Sequence, residues 1–236
     1  MAQVTEDLLR QQLADCHRMM VMAELLDYSG HVSARLPGSS RVLILPRDAS
    51  RAAVTAEEMC VVDLDGKVLE GKGPVPTETA IHLGVYRARE DVCAVGHGHP
   101  PNSTLFTMFE KPMFAMRNFG FRFIGMPVHP DPTHIKTVAQ GDDVAKTLGK
   151  SKYCLLRGHG SVVAVNSVPE VFLDSLEMEE NAKSAIQAAS LASLGKLKPI
   201  TPEEVELLKP SFAFNTYRVG KTWDHYREKA KRAGYL

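Results

Sequence analysis

Glu78, His97, His99 and His159 are the residues of this sequence whose types and spacing can do chemistry together. His97 and His99 stand two apart in Val95-Gly96-His97-Gly98-His99-Pro100. In an extended segment residues two apart point to the same side, so both imidazoles can grip one ion from adjacent rungs. His159, between Gly158 and Gly160, can close the set from another strand end. Three protein donors leave a coordination position open, which marks a catalytic rather than a structural metal. Glu78 opens the helical segment Glu78-Thr79-Ala80-Ile81-His82 and offers a carboxylate. His82, four residues on, shares that helix face and so either orients Glu78, reaches the site, or packs. Singly, each piece has an ordinary reading: a chance His-x-His pair, a tight Gly-His-Gly turn, a glutamate at a helix start. Their combination, with strand-like runs leading into both histidine sites, carries the weight.

The elements that must position these groups are readable from periodicity. Leu8, Leu9, Leu13, Cys16, Met20, Ala23 and Leu26 repeat at near-helical spacing over residues 5–27. Strands are expected over 32–36 and 41–45 around Pro37-Gly38, and a hairpin over 60–69 turns at Asp65-Gly66. Thr55-Ala56-Glu57-Glu58 resembles a short capping box. A helix over 78–89 leads into an apolar strand over 92–96 that delivers His97. Short helices are expected over 102–109 and 142–148, and strands over 153–156 and 161–165 flank His159. A long helix covers 169–194, Thr201-Pro202-Glu203-Glu204 starts another, and a last one covers 223–233. Residues 112–132, rich in aromatics, prolines and glycines, receive no assignment. No linker divides the chain, so residues 1–236 read as one α/β domain with a mostly antiparallel sheet covered by helices.

The stretches Gly30-His31-Val32-Ser33-Ala34-Arg35, Pro76-Thr77-Glu78, His97-Gly98-His99-Pro100 and Arg157-Gly158-His159-Gly160 occur in the order found in the class II aldolase/adducin family, and the chain resembles that family from its first helix to about residue 208. The resemblance implies a single-domain α/β/α layered fold. It also implies that His97, His99 and His159 are metal ligands and that Glu78 is the acid/base. It further implies one divalent ion per subunit and a homotetramer with active sites near subunit boundaries. Histidine donors suit zinc, manganese, cobalt or iron alike.

The departures from the sugar-phosphate aldolases of that family bear on the substrate. Those enzymes hold phosphate with a Thr-Gly turn and a Ser-Ser pair, where this chain has Pro46-Arg47-Asp48 and Pro76-Thr77. Glycine and hydroxyl donors are mostly gone, and the arginine fork suits a carboxylate. His31 stands where the family usually carries asparagine. The neighbour-donated tyrosine has no counterpart in Ala115-Met116-Arg117-Asn118-Phe119. His31, Ser33, Arg47, Thr77 and Arg117 are therefore the expected substrate contacts, with Glu78 and His82 as catalytic groups. The expected function is a metal-dependent carbon–carbon lyase, a decarboxylase of a hydroxylated aromatic or pyridine carboxylate. The alternatives are a retro-aldolase for a hydroxy-oxo acid or sugar phosphate, a dehydratase, or a non-catalytic adducin-like scaffold. Phe114, Phe119, Phe121 and Phe123 fit a flat ring but fit a core or subunit interface better. The C-terminal residues 209–236 are expected at a subunit boundary, with 212–218 either reaching a neighbour's site or docked on their own chain.

A formal net charge of +0 and a pI near 7.1 give no electrostatic case for nucleic acid. No apolar run approaches a membrane span, and Met1-Ala2-Gln3-Val4 begins no signal peptide. Four widely spaced cysteines without Cys-x-x-Cys read as reduced thiols of a cytoplasmic protein. Gly220-Lys221-Thr222 lacks the rest of a phosphate loop.

Overall fold

Val32, Leu43, Val61, Val95 and Val162 are buried together with the residues on either side of them, which suits strands covered on both faces by helices. A computed structural model describing residues 4–212 and 216–236 shows that architecture. Eight strands form one sheet: β1 His31–Arg35, β2 Val42–Ile44, β3 Cys60–Val62, β4 Val68–Glu70, β5 Ala94–Gly98, β6 Val128–His129, β7 Tyr153–Leu156 and β8 Gly160–Val165. Their order is β4-β3-β2-β1-β5-β8-β7-β6. Every pairing is antiparallel except β6 with β7. The helices are α1 Glu6–Met22, α2 Thr79–Ala88, α3 Pro101–Leu105, α4 Val138–Leu148, α5 Val168–Ser190, α6 Pro202–Phe212 and α7 Thr216–Arg232. Helices α1, α3 and α5 cover one sheet face, with α7 on α1 and α5, while α2 and α4 cover the other. Among the described residues no helix is long and apolar enough to cross a membrane.

The register sets the site. His31 lies opposite His97 across β1 and β5. A β-carbon on Gly96 would strike Val171 of α5, so the alternate residues Val95 and His97 face the α2 side. Helix α2 is held there by unusually close packing on α4. An added β-carbon on Gly84 would sit 2.3 Å from the Gly141 carbonyl oxygen, and one on Gly141 would sit 2.1 Å from that of Ala80. Two glycines thus let the helix that starts at Glu78 rest backbone to backbone on α4. On the opposite face His17, fully buried, ties α1 to β1. Its Nε2 accepts from the Val32 backbone N–H at 3.0 Å, so Nδ1 carries the proton and donates to the Leu13 carbonyl at 2.7 Å.

Several elements differ from the sequence expectations. Helix α4 begins at Val138, four residues earlier than its apolar pattern shows, because Thr137 and Gln140 form a reciprocal capping box. Thr55 to Glu58 makes a turn and no helix: the Glu58 carboxylate accepts from the Thr55 N–H, but the buried apolar run that follows, Met59 to Val62, enters β3. The unassigned stretch resolves into a 3₁₀ turn, Gly120–Phe123, and strand β6. Helix α7 starts at Thr216, earlier than expected. Phe119 and Phe123 are core residues and Phe121 packs edge-on against Phe212, so the aromatic cluster belongs to the packing.

Gly84→Ala is expected to cost roughly 1–3 kcal/mol through overpacking. Gly220→Ala, in α7 with nothing within 4 Å of the new carbon, should instead gain about 0.5–1 kcal/mol. Urea unfolding reads both, and equal midpoints would show that α2 and α4 give way freely. A second expectation concerns acid. Burial presses the His17 imidazole down to about 4, against the raising pull of its bond to Leu13 and with a smaller lowering push from the charge of Arg51. An unfolded chain takes up that proton near 6.5, so stability falls as pH drops from about 6.5 towards 4. The slope from this one group is about 1.4 kcal/mol per pH unit. In His17→Gln the stability deficit at pH 7 should shrink at pH 5; a constant deficit would contradict the neutral, doubly bonded ring.

Candidate metal and substrate site

Helix α2 begins at a residue that does not cap it. Glu78 occupies the N-cap position, where a carboxylate ordinarily accepts from backbone N–H groups, yet its side chain makes no capping hydrogen bond. It points to the histidines instead. Glu78 Oε2 is 3.4 Å from His97 Nε2, and Oε1 is 3.2 Å from His159 Nε2 and 3.6 Å from Nδ1 of the exposed His134. His97 comes from β5, His99 from just beyond its end, and His159 from the turn between β7 and β8. That turn approaches closely because Gly160 has no side chain: a β-carbon there would meet the Gly98 carbonyl oxygen at 2.2 Å and the His99 ring at 3.0 Å.

Side-chain support fixes which nitrogens face inward. His97 Nδ1 donates to the Ser161 carbonyl at 3.0 Å, leaving Nε2 with its lone pair. Ser29 donates its hydroxyl proton to Asp27 at 3.1 Å and so accepts from His99 Nδ1 at 3.1 Å, which frees His99 Nε2. Such partners orient metal-binding imidazoles and raise their basicity. One donor atom from each of Glu78, His97, His99 and His159 lies within 4.8 Å of all the others. Glu78 Oε1 and the three Nε2 atoms are buried without a hydrogen-bond partner. Stranded polar atoms of this kind each cost about 1–3 kcal/mol, and four of them converging on one point fit a divalent cation in chemistry and in number. Burial alone would raise the Glu78 carboxyl, but close polar contact with His159 and His97, and their charge, hold it well below the usual carboxylate range. Burial, then the neighbouring His97 and His159, press His99 down to about 4.

Beside the donors lies a cleft of ≈ 280 Å³, its walls including His31, Arg47, Arg51, Pro76, Thr77, Glu78, His99, His134 and Lys136. His31, Arg47 and Thr77, three of the expected substrate contacts, all line this cleft. Three other expectations are corrected. His82 does not reach the cleft: it is fully buried, with Nε2 2.7 Å from His31 Nδ1 and Nδ1 2.7 Å from Ser33 Oγ. Ser33 is equally buried and also bonds the Tyr86 hydroxyl at 2.9 Å, so it supports His82 and does not line the cleft. Burial, then the charges of His97 and His17, push His82 down to about 3, and burial with His82 beside it holds His31 well below the usual imidazole range. Arg117 lies outside the cleft, exposed and stacked on Phe119, because the chain passes from α3 to β6 along α5. Its neighbour Arg122 pairs with Asp174 and Glu177, also remote from the donors. Of residues 212–218, 213–215 lie outside the described residues, and Phe212 and Arg218 pack on their own chain, Arg218 over the Phe119 and Phe212 rings.

Sequence reasoning passed over Ser29, Arg51, His134 and Lys136. Only Arg51 carried a signal that could have found it, standing four residues after Arg47 in a loop already marked as departing from the phosphate-binding pattern.

The comparisons agree with this fold. The chain is 28% identical over 232 residues to a 3,4-dihydroxyphthalate decarboxylase of Arthrobacter keyseri, covering 92% of this chain and 91% of that one. It is 27% identical over 176 residues to an L-fuculose phosphate aldolase of Methanococcus vannielii, covering 74% of this chain and 93% of that one. Its fold superposes on an aldolase II superfamily protein from Pseudomonas syringae with a TM-score of 0.83, at 23% identity over 99% of this chain and 96% of that one. With residues 11–186 matching the family model of the class II aldolase and adducin N-terminal domain, this chain belongs to that family.

Proposed function

We propose that this protein is a divalent-metal-dependent carbon–carbon lyase, and within that class a decarboxylase of a hydroxylated aromatic or pyridine carboxylate. The observation that carries the reading is the juxtaposition of the four-donor cluster with a cleft whose charged walls are cationic except for Glu78 itself. Decarboxylases and aldolases among the relatives share similar identity with this chain. The loss of the phosphate-cradling glycine and hydroxyl groups at Pro46-Arg47-Asp48 favours the decarboxylase.

In this reading His97, His99 and His159 hold the ion, with Glu78 poised at its edge. When bound, a divalent cation stabilises negative charge developing on substrate oxygens as the bond breaks, a contribution of several kcal/mol. Arg47 and Lys136 draw the anionic substrate in. Glu78, ionised at neutral pH, accepts the proton of the ring hydroxyl. The carbon–carbon electron pair then passes into the ring as carbon dioxide departs, and Glu78 returns its proton to that ring carbon. Water finally reprotonates the hydroxyl oxygen. His31 borders the cleft as a hydrogen-bonding wall, and His82, anchored by Ser33 and Tyr86, fixes its orientation. His82 is thus a positioning residue. A retro-aldolase would use the same donors and the same glutamate on a hydroxy-oxo acid or sugar phosphate, and the aldolase relative supports it as the second reading.

His97→Ala should leave the purified protein unable to retain zinc or manganese through dialysis, read by elemental analysis, with the fold intact by circular dichroism. Retention at the parental stoichiometry would remove His97 from the ligand set. Glu78→Gln should keep the metal and lose about 10²–10⁴-fold in turnover. Carbon dioxide release from dihydroxyphthalates, set against aldehyde release from hydroxy-oxo acids and fuculose phosphate, identifies the reaction. Aldehyde without carbon dioxide would replace the decarboxylase with the aldolase.

A further inference from the structure

Arg51 is a buried cation with no carboxylate in contact with it among the described residues. It is 8% exposed, and among the described residues it forms no ion pair; Asp27 and Asp48 act on it only from longer range. Its guanidinium is locked by backbone carbonyls alone. Nε donates to Gly30 at 3.1 Å, and Nη1 donates to Arg47 at 2.8 Å and to Ala49 at 2.7 Å. Nη2 makes no hydrogen bond to a described residue, yet it is not sealed from solvent, and Arg51 lines the cleft beside Glu78 and His99. Carbonyl oxygens satisfy N–H groups but do not neutralise the charge, and an uncompensated buried charge is expensive. A fold that fixes an arginine this rigidly, with one N–H edge left facing a cleft, holds a ready donor for an anion.

We propose that Arg51 recognises a second carboxylate of the substrate, one that stays on the product, and so selects a ring bearing two carboxylates over one bearing a single carboxylate. The inference rests on the reading of the cleft as the substrate site. One anionic group lies at the donor cluster, where bond cleavage occurs. The other must lie along the cleft wall, where Arg51 is the fixed, buried cation and Arg47 and Lys136 are exposed ones. A carboxylate is preferred to a phosphate because Pro46 and Pro76 supply no backbone N–H to a phosphate cradle.

The test measures binding of unreactive probes to the metal-loaded protein by calorimetry: phthalate with two carboxylates, benzoate with one, and inorganic phosphate. Phthalate should bind about 10- to 100-fold more tightly than benzoate. Arg51→Met should abolish that preference while leaving benzoate affinity within about threefold, and Arg51→Lys, with a charge but no fork, should retain part of it. An unchanged preference in a folded Arg51→Met protein would overturn the proposal, and so would inorganic phosphate outcompeting phthalate in an Arg51-dependent way. Because Arg51 also ties down three carbonyls, the methionine variant has a structural risk. A crystal structure of the wild-type protein with phthalate decides independently, with a carboxylate oxygen within hydrogen-bond distance of Arg51 Nη2 expected and a phthalate seated away from Arg51 contradicting it. A protein that shows the Arg51-dependent preference but releases no carbon dioxide would keep this inference and sink the decarboxylase.

Discussion

The site depends on backbones touching where side chains are absent. Gly160 lies against the Gly98 carbonyl so closely that a β-carbon would overlap it at 2.2 Å. This contact brings the turn carrying His159 onto the strand end carrying His97 and His99. Any larger residue would push β8 from β5 at their open end and separate the three imidazoles. The ring centroids of His97, His99 and His159 lie 5.0–5.2 Å from one another, which leaves each Nε2 aimed into one small volume. The alternation of histidine with glycine along both segments is the covalent record of that constraint: each donor needs a neighbour without bulk.

How much of this was legible follows from how local each signal is. The His97-Gly98-His99 pair, the Gly158-His159-Gly160 turn and the helix opening at Glu78 are short motifs, and their order along the chain was enough to gather them. The antiparallel sheet and the long helices follow from period and turn chemistry. What the sequence concealed is non-local. That His82 is spent on His31 and Ser33 depends on which face of α2 meets which face of β1, and a four-residue helical spacing from Glu78 does not say so. Arg51 looks like a surface arginine in a polar loop until the Gly30, Arg47 and Ala49 carbonyls close around it. The capping box at Thr137 was local but lay beyond the apolar pattern used to place α4.

The histidines of the molecule divide by what their nitrogens touch. His17 and His82 have both nitrogens bonded inside the protein, and burial keeps them neutral far into acid. They stiffen the two faces of β1. His97 and His99 have one nitrogen bonded and one bare, which is the pattern of a ligand with its supporting partner. A count of histidines would treat these alike, whereas the hydrogen-bond pattern separates rings whose bonding is complete from rings with a nitrogen to spare.

The same logic of unspent bonding capacity joins the cluster to the cleft. Four stranded donors call for a cation, and the cationic wall beside them calls for an anion. Each requirement makes the other easier to meet, since a chelating anion brings charge to both the ion and the arginines. Glu78 sits at the boundary, in contact with His97 and His159 on one side and lining the cleft on the other. A protein built only to scaffold others would gain nothing from keeping buried imidazole nitrogens unpaired. Their retention costs folding stability, a cost that a ligand completing those bonds would offset.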